Sequence, residues 1–79
     1  MIKHNEVLDA RGLLCPMPVV RASKAIEPLE EGQVLKILAT DKGSVLDLPA
    51  WAHDTGNEVV TTAEEFGAFV FYVRKGIQV

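Results

Sequence analysis

The stretch Arg11-Gly12-Leu13-Leu14-Cys15-Pro16-Met17-Pro18 constrains this chain more than any other, because it allows little except the junction of a strand with a helix. The β-forming run Glu6-Val7-Leu8-Asp9-Ala10 leads into it, and a helical period follows it. Gly12 is suited to a sharp turn because it tolerates a positive φ. Pro16 fits the first helical position, where its missing N–H costs nothing, and Pro18 fits the same turn. This reading makes Cys15 the N-cap, with the Met17 N–H as the donor left for its sulfur. A helix end is worth roughly 0.3–2 kcal/mol to a neighbouring charge, so an exposed Cys15 is expected to titrate modestly below the ordinary thiol value of about 8.5. Arg11 would add to that shift. The plain alternative is a small buried hydrophobe, which is what most free cysteines are.

From Pro16 to about Leu29, Val19, Ala22, Ile26 and Leu29 form one apolar stripe. Met17, Val20, Arg21, Lys24 and Pro28 face outward. The cluster Glu30-Glu31-Gly32 ends the helix, and Gln33 to Thr40 reads as a largely buried strand. After Asp41-Lys42-Gly43, the pattern Ser44-Val45-Leu46-Asp47 matches S-x-x-D capping, so a second helix is expected from Ser44 to about Thr55. It should bury Val45, Leu48 and Ala52, carry Trp51 on its flank, bend at Pro49 and close at Gly56. Glu58–Ala63 and Ala68–Lys75 read as two strands joined tightly enough for an antiparallel hairpin, with Phe69, Phe71 and Val73 on one face. The order β-α-β-α-β-β implies an α/β (α+β) fold, a four-stranded mixed sheet with two helices on one face. Both helix N-termini then emerge at one sheet edge, which makes Asp41 and Lys42 neighbours of Cys15.

Composition removes several classes. Residues 1–79 read as one small domain, 48% hydrophobic and 24% charged. A single cysteine leaves no internal disulfide, which suits a reducing, cytoplasmic setting. No apolar run reaches the ~20 residues of a membrane span, and the opening Met1-Ile2-Lys3-His4-Asn5-Glu6 has no apolar signal core. A net charge of −3 argues against direct nucleic-acid binding. Cys15, His4 and His53 fall short of the four ligands of a closed zinc site, so no metal is expected; His53 reads as a solvated surface residue and His4 as part of a mobile terminus.

The segment Leu8 to Pro18, with its Cys-Pro-x-Pro helix start, resembles the TusA/SirA family of small sulfur-carrier proteins. Asp47-Leu48-Pro49-Ala50-Trp51 followed by Gly56-Asn57-Glu58 is similar to that family's second-helix segment, and Arg74-Lys75-Gly76 to its C-terminal end. The resemblance covers nearly the whole chain. It implies a two-layer βαβαββ sandwich in which Cys15 carries sulfane sulfur as a persulfide. Arg11, Gly12, Pro16 and Pro18 would support it, and Met17, Val20, Arg21, Lys24, Asp41 and Lys42 would meet partners. The partners implied are sulfur-donor and sulfur-acceptor proteins: cysteine desulfurases and rhodanese-like or DsrE-like sulfurtransferases. No cofactor is implied. Members relay sulfur in tRNA thiolation, cofactor assembly or sulfur oxidation. This chain departs from the pattern at Met17, where tRNA-thiolation members carry an acid, and at Asn57, where many members have His.

A lone thiol also sets the mechanism. Without a C-x-x-C pair the chain is no dithiol oxidoreductase. Attack of Cys15 on the outer sulfur of a donor persulfide, then release to an acceptor thiolate, uses ordinary exchange chemistry. This describes a sulfurtransferase-type carrier rather than a stand-alone enzyme. A single-cysteine redox sensor and a non-catalytic regulatory or interaction module are the competing classes.

Overall fold

Leu35, Ile37 and Ala39 are fully buried while Val34, Lys36 and Leu38 between them are only partly so, and this alternation defines the inside of the molecule. The computed structural model describes residues 3–76; Met1 and Ile2, the start of the segment considered as a leader, lie outside them. The elements are β1 (Glu6–Ala10), α1 (Met17–Ile26), β2 (Val34–Ala39), α2 (Ser44–Asp54), β3 (Glu58–Glu65) and β4 (Ala68–Arg74). They form the expected mixed sheet, in the order β1-β2-β4-β3. β1 runs parallel to β2, with Ala10 opposite Ala39, and β4 is antiparallel to both β2 and β3. The hairpin therefore inserts β4 into the centre of the sheet. β3 sits at the far edge, reached from β2 through α2.

Central placement accounts for the composition of β4. Phe71 and Val73 join Ala22 and Ile26 of α1 and Leu48 and Ala52 of α2 in one core, so both helices cover the same sheet face. Val70 and Tyr72, on the opposite face, are buried as well. There Lys36 Nζ lies 5.8 Å from the Tyr72 ring centre and pairs with Glu65 at 3.1 Å. The His4 ring stands 6.1 Å from the Tyr72 ring, tilted to it, while His4 itself is exposed. His53 is solvated, as expected, and Trp51 packs at the edge of the core.

Two local expectations are corrected. α1 ends at Ile26, three residues before Leu29, which nevertheless stays buried in the turn that follows. The buried stripe of α2 starts at Ser44 and continues through Leu48 and Ala52, which turns Val45 outward at 45% exposure. Pro49 lies within α2, as expected, and the helix continues to Asp54. Gly56 closes α2 with φ +79°, as expected of a C′ glycine.

Candidate functional site

Pairing of Ala10 with Ala39 ends β1 and β2 side by side, so the loops that follow them touch. Gly12 takes φ +81° and donates its N–H to Thr40 Oγ1 at 2.9 Å. Three residues later the Cys15 N–H donates to Asp41 Oδ2, also at 2.9 Å. The expected proximity of Asp41 to Cys15 is thus a direct hydrogen bond. Lys42 follows it, exposed on the same loop.

Cys15 is exposed, and its thiol donates to Asp47 Oδ2 at 3.2 Å. Sequence pattern alone reads Asp47 as the capping partner of Ser44. In the structure Gly43 is the N-cap, no side chain caps the helix, and Ser44 is buried as its first residue. The carboxylate of Asp47 is thereby free for the sulfur. The signal that could have found it was the topology: a residue in the first turn of α2 shares the sheet edge with Cys15.

This contact reverses the expected titration. The Asp47 hydrogen bond, then partial burial and the charges of Asp47 and Asp41, push the Cys15 thiol above its ordinary value. The helix start does not offset them, because the residues that identify it also strip it of donors. Pro16 is the N-cap, joined to Cys15 through a cis peptide bond, and neither Pro16 nor Pro18 has an N–H. The Met17 N–H donates to the Leu14 carbonyl at 2.8 Å and not to the sulfur. The positive end of a helix resides on its unsatisfied N–H groups, and here they are few. Arg11 is engaged elsewhere. Its guanidinium clasps Asp9 through two bonds of 2.8 Å, which holds the Asp9 carboxyl down to about 2.

Pro18 is fully buried and ties the first turn of α1 to the core. Arg21 and Lys24 are exposed, and Met17 and Val20 are each 38% exposed, so the outward face of α1 is as expected. Apolar residues not singled out in the sequence extend this surface. Leu14 is 73% exposed and Leu46 78%, and Phe66 projects fully from the β3–β4 turn at the same sheet edge. A groove of about 410 Å³ between the start of α2 and that hairpin is lined by Val45, Pro49, Phe69 and Phe71, among others. The thiol is thus exposed, paired with a hydrogen-bond acceptor, and shares its sheet edge with exposed apolar side chains.

The family model described as Sulfurtransferase TusA matches residues 6–75. The chain is 45% identical over 75 residues to YrkI of Bacillus subtilis (strain 168), covering 95% of this chain and 100% of that one. To the sulfur carrier protein TusA of Allochromatium vinosum it is 47% identical over 75 residues, covering 95% and 99% respectively. Its fold is similar to the crystal structure of a SirA-like protein from Desulfitobacterium hafniense, with a TM-score of 0.79 and 29% identity, across 92% of this chain and 100% of that one. With the family model spanning every element from β1 to β4, and relatives this similar along their whole length, the chain belongs to the sulfurtransferase TusA family.

Proposed function

We propose that this protein is a sulfur carrier, which holds sulfane sulfur as a persulfide on Cys15 and passes it between protein partners. The observation that carries this reading is the exposed, solitary thiol bonded to Asp47 at the edge where β1 and β2 end. In loading, the Cys15 sulfur attacks the outer sulfur of a donor persulfide, R–S–SH. The new S–S bond forms on Cys15, the old one breaks, and the donor leaves as R–SH with the proton that the Cys15 thiol gives up. Unloading is the reverse step on an acceptor thiol. Asp41 fixes the cysteine backbone while the sulfur changes partners.

Donor and acceptor proteins of the cysteine desulfurase, rhodanese-like or DsrE-like kinds fit this chemistry, and a reducing cytoplasm fits a lone thiol. Among the described residues no helix is long and apolar enough to cross a membrane. Incubation with a sulfane donor followed by intact-protein mass spectrometry tests the proposal. Whole sulfur atoms removable by reductant are expected, and Cys15→Ser should gain none while keeping its fold. Gain of oxygen from peroxide in their place would favour the sensor, and gain of neither would favour a non-catalytic module.

A further inference from the structure

The two hydrogen bonds that position Cys15 both end on carboxylates, Asp41 at its N–H and Asp47 at its thiol. Among the described residues neither carboxylate has an ion-pair partner. The cations that could have neutralised them are committed elsewhere or face solvent. Arg11 is held by Asp9, while Lys42, on the loop next to Asp41, and Arg21 and Lys24 of α1 are exposed and pair with neither carboxylate. The sulfur therefore stands beside two uncompensated negative charges, in a protein whose net charge is already −3.

We infer that Asp41 and Asp47 make Cys15 a charge-selective thiol, one that exchanges with cationic sulfur compounds, or with sulfur presented in a cationic protein pocket, and resists anionic sulfur donors. Resting on the carrier reading, this defines the class of partner: a protein whose sulfur-bearing cysteine is flanked by Arg or Lys. Docking such a group against Asp47 and Asp41 removes the repulsion that opposes the thiolate, so the nucleophile forms where the partner waits. Small anionic donors bring no such charge and meet the carboxylates directly. The loop pair thus separates delivery between proteins from loss of sulfur to, or adventitious loading from, dissolved anions.

Methanethiosulfonates isolate this property. The Cys15 thiolate attacks the sulfenyl sulfur of the reagent, a mixed disulfide forms, methanesulfinate leaves, and the thiol proton passes to solvent. Rates are measured on the full chain with the cationic trimethylammonioethyl reagent, the anionic sulfonatoethyl reagent and the neutral methyl reagent. N-acetylcysteine amide is the reference thiol. At low ionic strength the cation-to-anion rate ratio of the protein should exceed that of the reference on the order of tenfold. Asp47→Asn, which keeps an acceptor oxygen and removes the charge, should bring the ratio most of the way to the reference, and Asp41→Asn part of the way. In the unaltered protein the excess should vanish at ~1 M salt, where screening acts over about 3 Å. That series needs no variant to fold. A ratio no larger than the reference, an excess that survives salt, or a folded Asp47→Asn with the ratio unchanged would overturn the inference. The readout is a mixed disulfide and involves no sulfane sulfur. A protein that shows charge selectivity but never loads sulfur would leave the charge-selective thiol standing and remove the carrier reading, and with it the class of partner.

Discussion

A single hydrogen bond, from the Cys15 thiol to Asp47 Oδ2 at 3.2 Å, determines the resting state of the reactive group. The carboxylate accepts a hydrogen bond from the protonated thiol and repels the thiolate, so the thiol titrates above its ordinary value. Alkylation of the protein by iodoacetamide should accordingly show a midpoint above about 8.5, the value of a free cysteine. Asp47→Asn should move that midpoint down and raise the rate at pH 7 several-fold; a midpoint that stays in place would show that another group holds the proton. The same bond links stability to pH. A thiol whose folded value is raised favours the native state fully below its unfolded value and loses that contribution as pH rises through the folded one. Equilibrium urea unfolding should thus show a small loss of stability above about pH 8.5. Cys15→Ser should lack it.

At the scale of elements, the turn between β1 and α1 is a device for placing Cys15 against α2. Gly12 at φ +81° reverses the chain, and no atom lies within 4 Å of the position a Cβ would take. Substitution there is opposed by backbone conformation alone. Gly12→Val should cost about 1–3 kcal/mol, while Gly12→Asn should cost clearly less, because Asn tolerates the left-handed region. Chemical denaturation would measure both, and equal losses would mean that something other than φ is at work. On α1, Arg21 and Lys24 are exposed, as are Met17 and Val20. Changing both to Glu should slow sulfur transfer with a protein partner, increasingly so at low ionic strength, and leave alkylation of Cys15 by a neutral reagent unchanged. Equal slowing of both reactions would mean that these residues tune the thiol.

Across the whole molecule, β4 holds the fold together from the middle of the sheet, and its end is fastened on both sides. The Lys75 N–H and C=O bond to Gln33 and Gly32, each at 2.8 Å, and the Gly76 N–H donates to Asn57 Oδ1 at 3.0 Å. Asn57 is buried and also donates to Thr55 Oγ1, so it joins the end of α2 to the end of β4. Asn57 therefore has a structural role at that position. Gly76 is required there, since a Cβ would overlap the Gly56 carbonyl oxygen. Gly76→Ala should destabilise the protein by roughly 1–3 kcal/mol, readable as a fall in thermal midpoint. An unchanged midpoint would show that the two segments separate freely.

How much of this was legible beforehand differs by range. The two strand-to-helix junctions, the outward face of α1 and the positive φ of Gly12 follow from local rules: period, proline placement and glycine's freedom. The approach of Asp41 to Cys15 followed from topology, because parallel strands joined by right-handed crossovers bring their C-terminal loops together. What only the tertiary structure decided were matters of rotation and competition. Turning α2 so that Ser44 faces inward exposes Val45 and aims Asp47 at the sulfur, and a spacing that fits a capping pattern equally well carries no information about which use prevails. The thiol's titration turns on the same kind of competition. The helix end and the prolines lie within a few residues of Cys15, whereas Asp47 acts from 32 residues away. A charge at hydrogen-bond distance across space outweighs a depleted dipole next door in sequence.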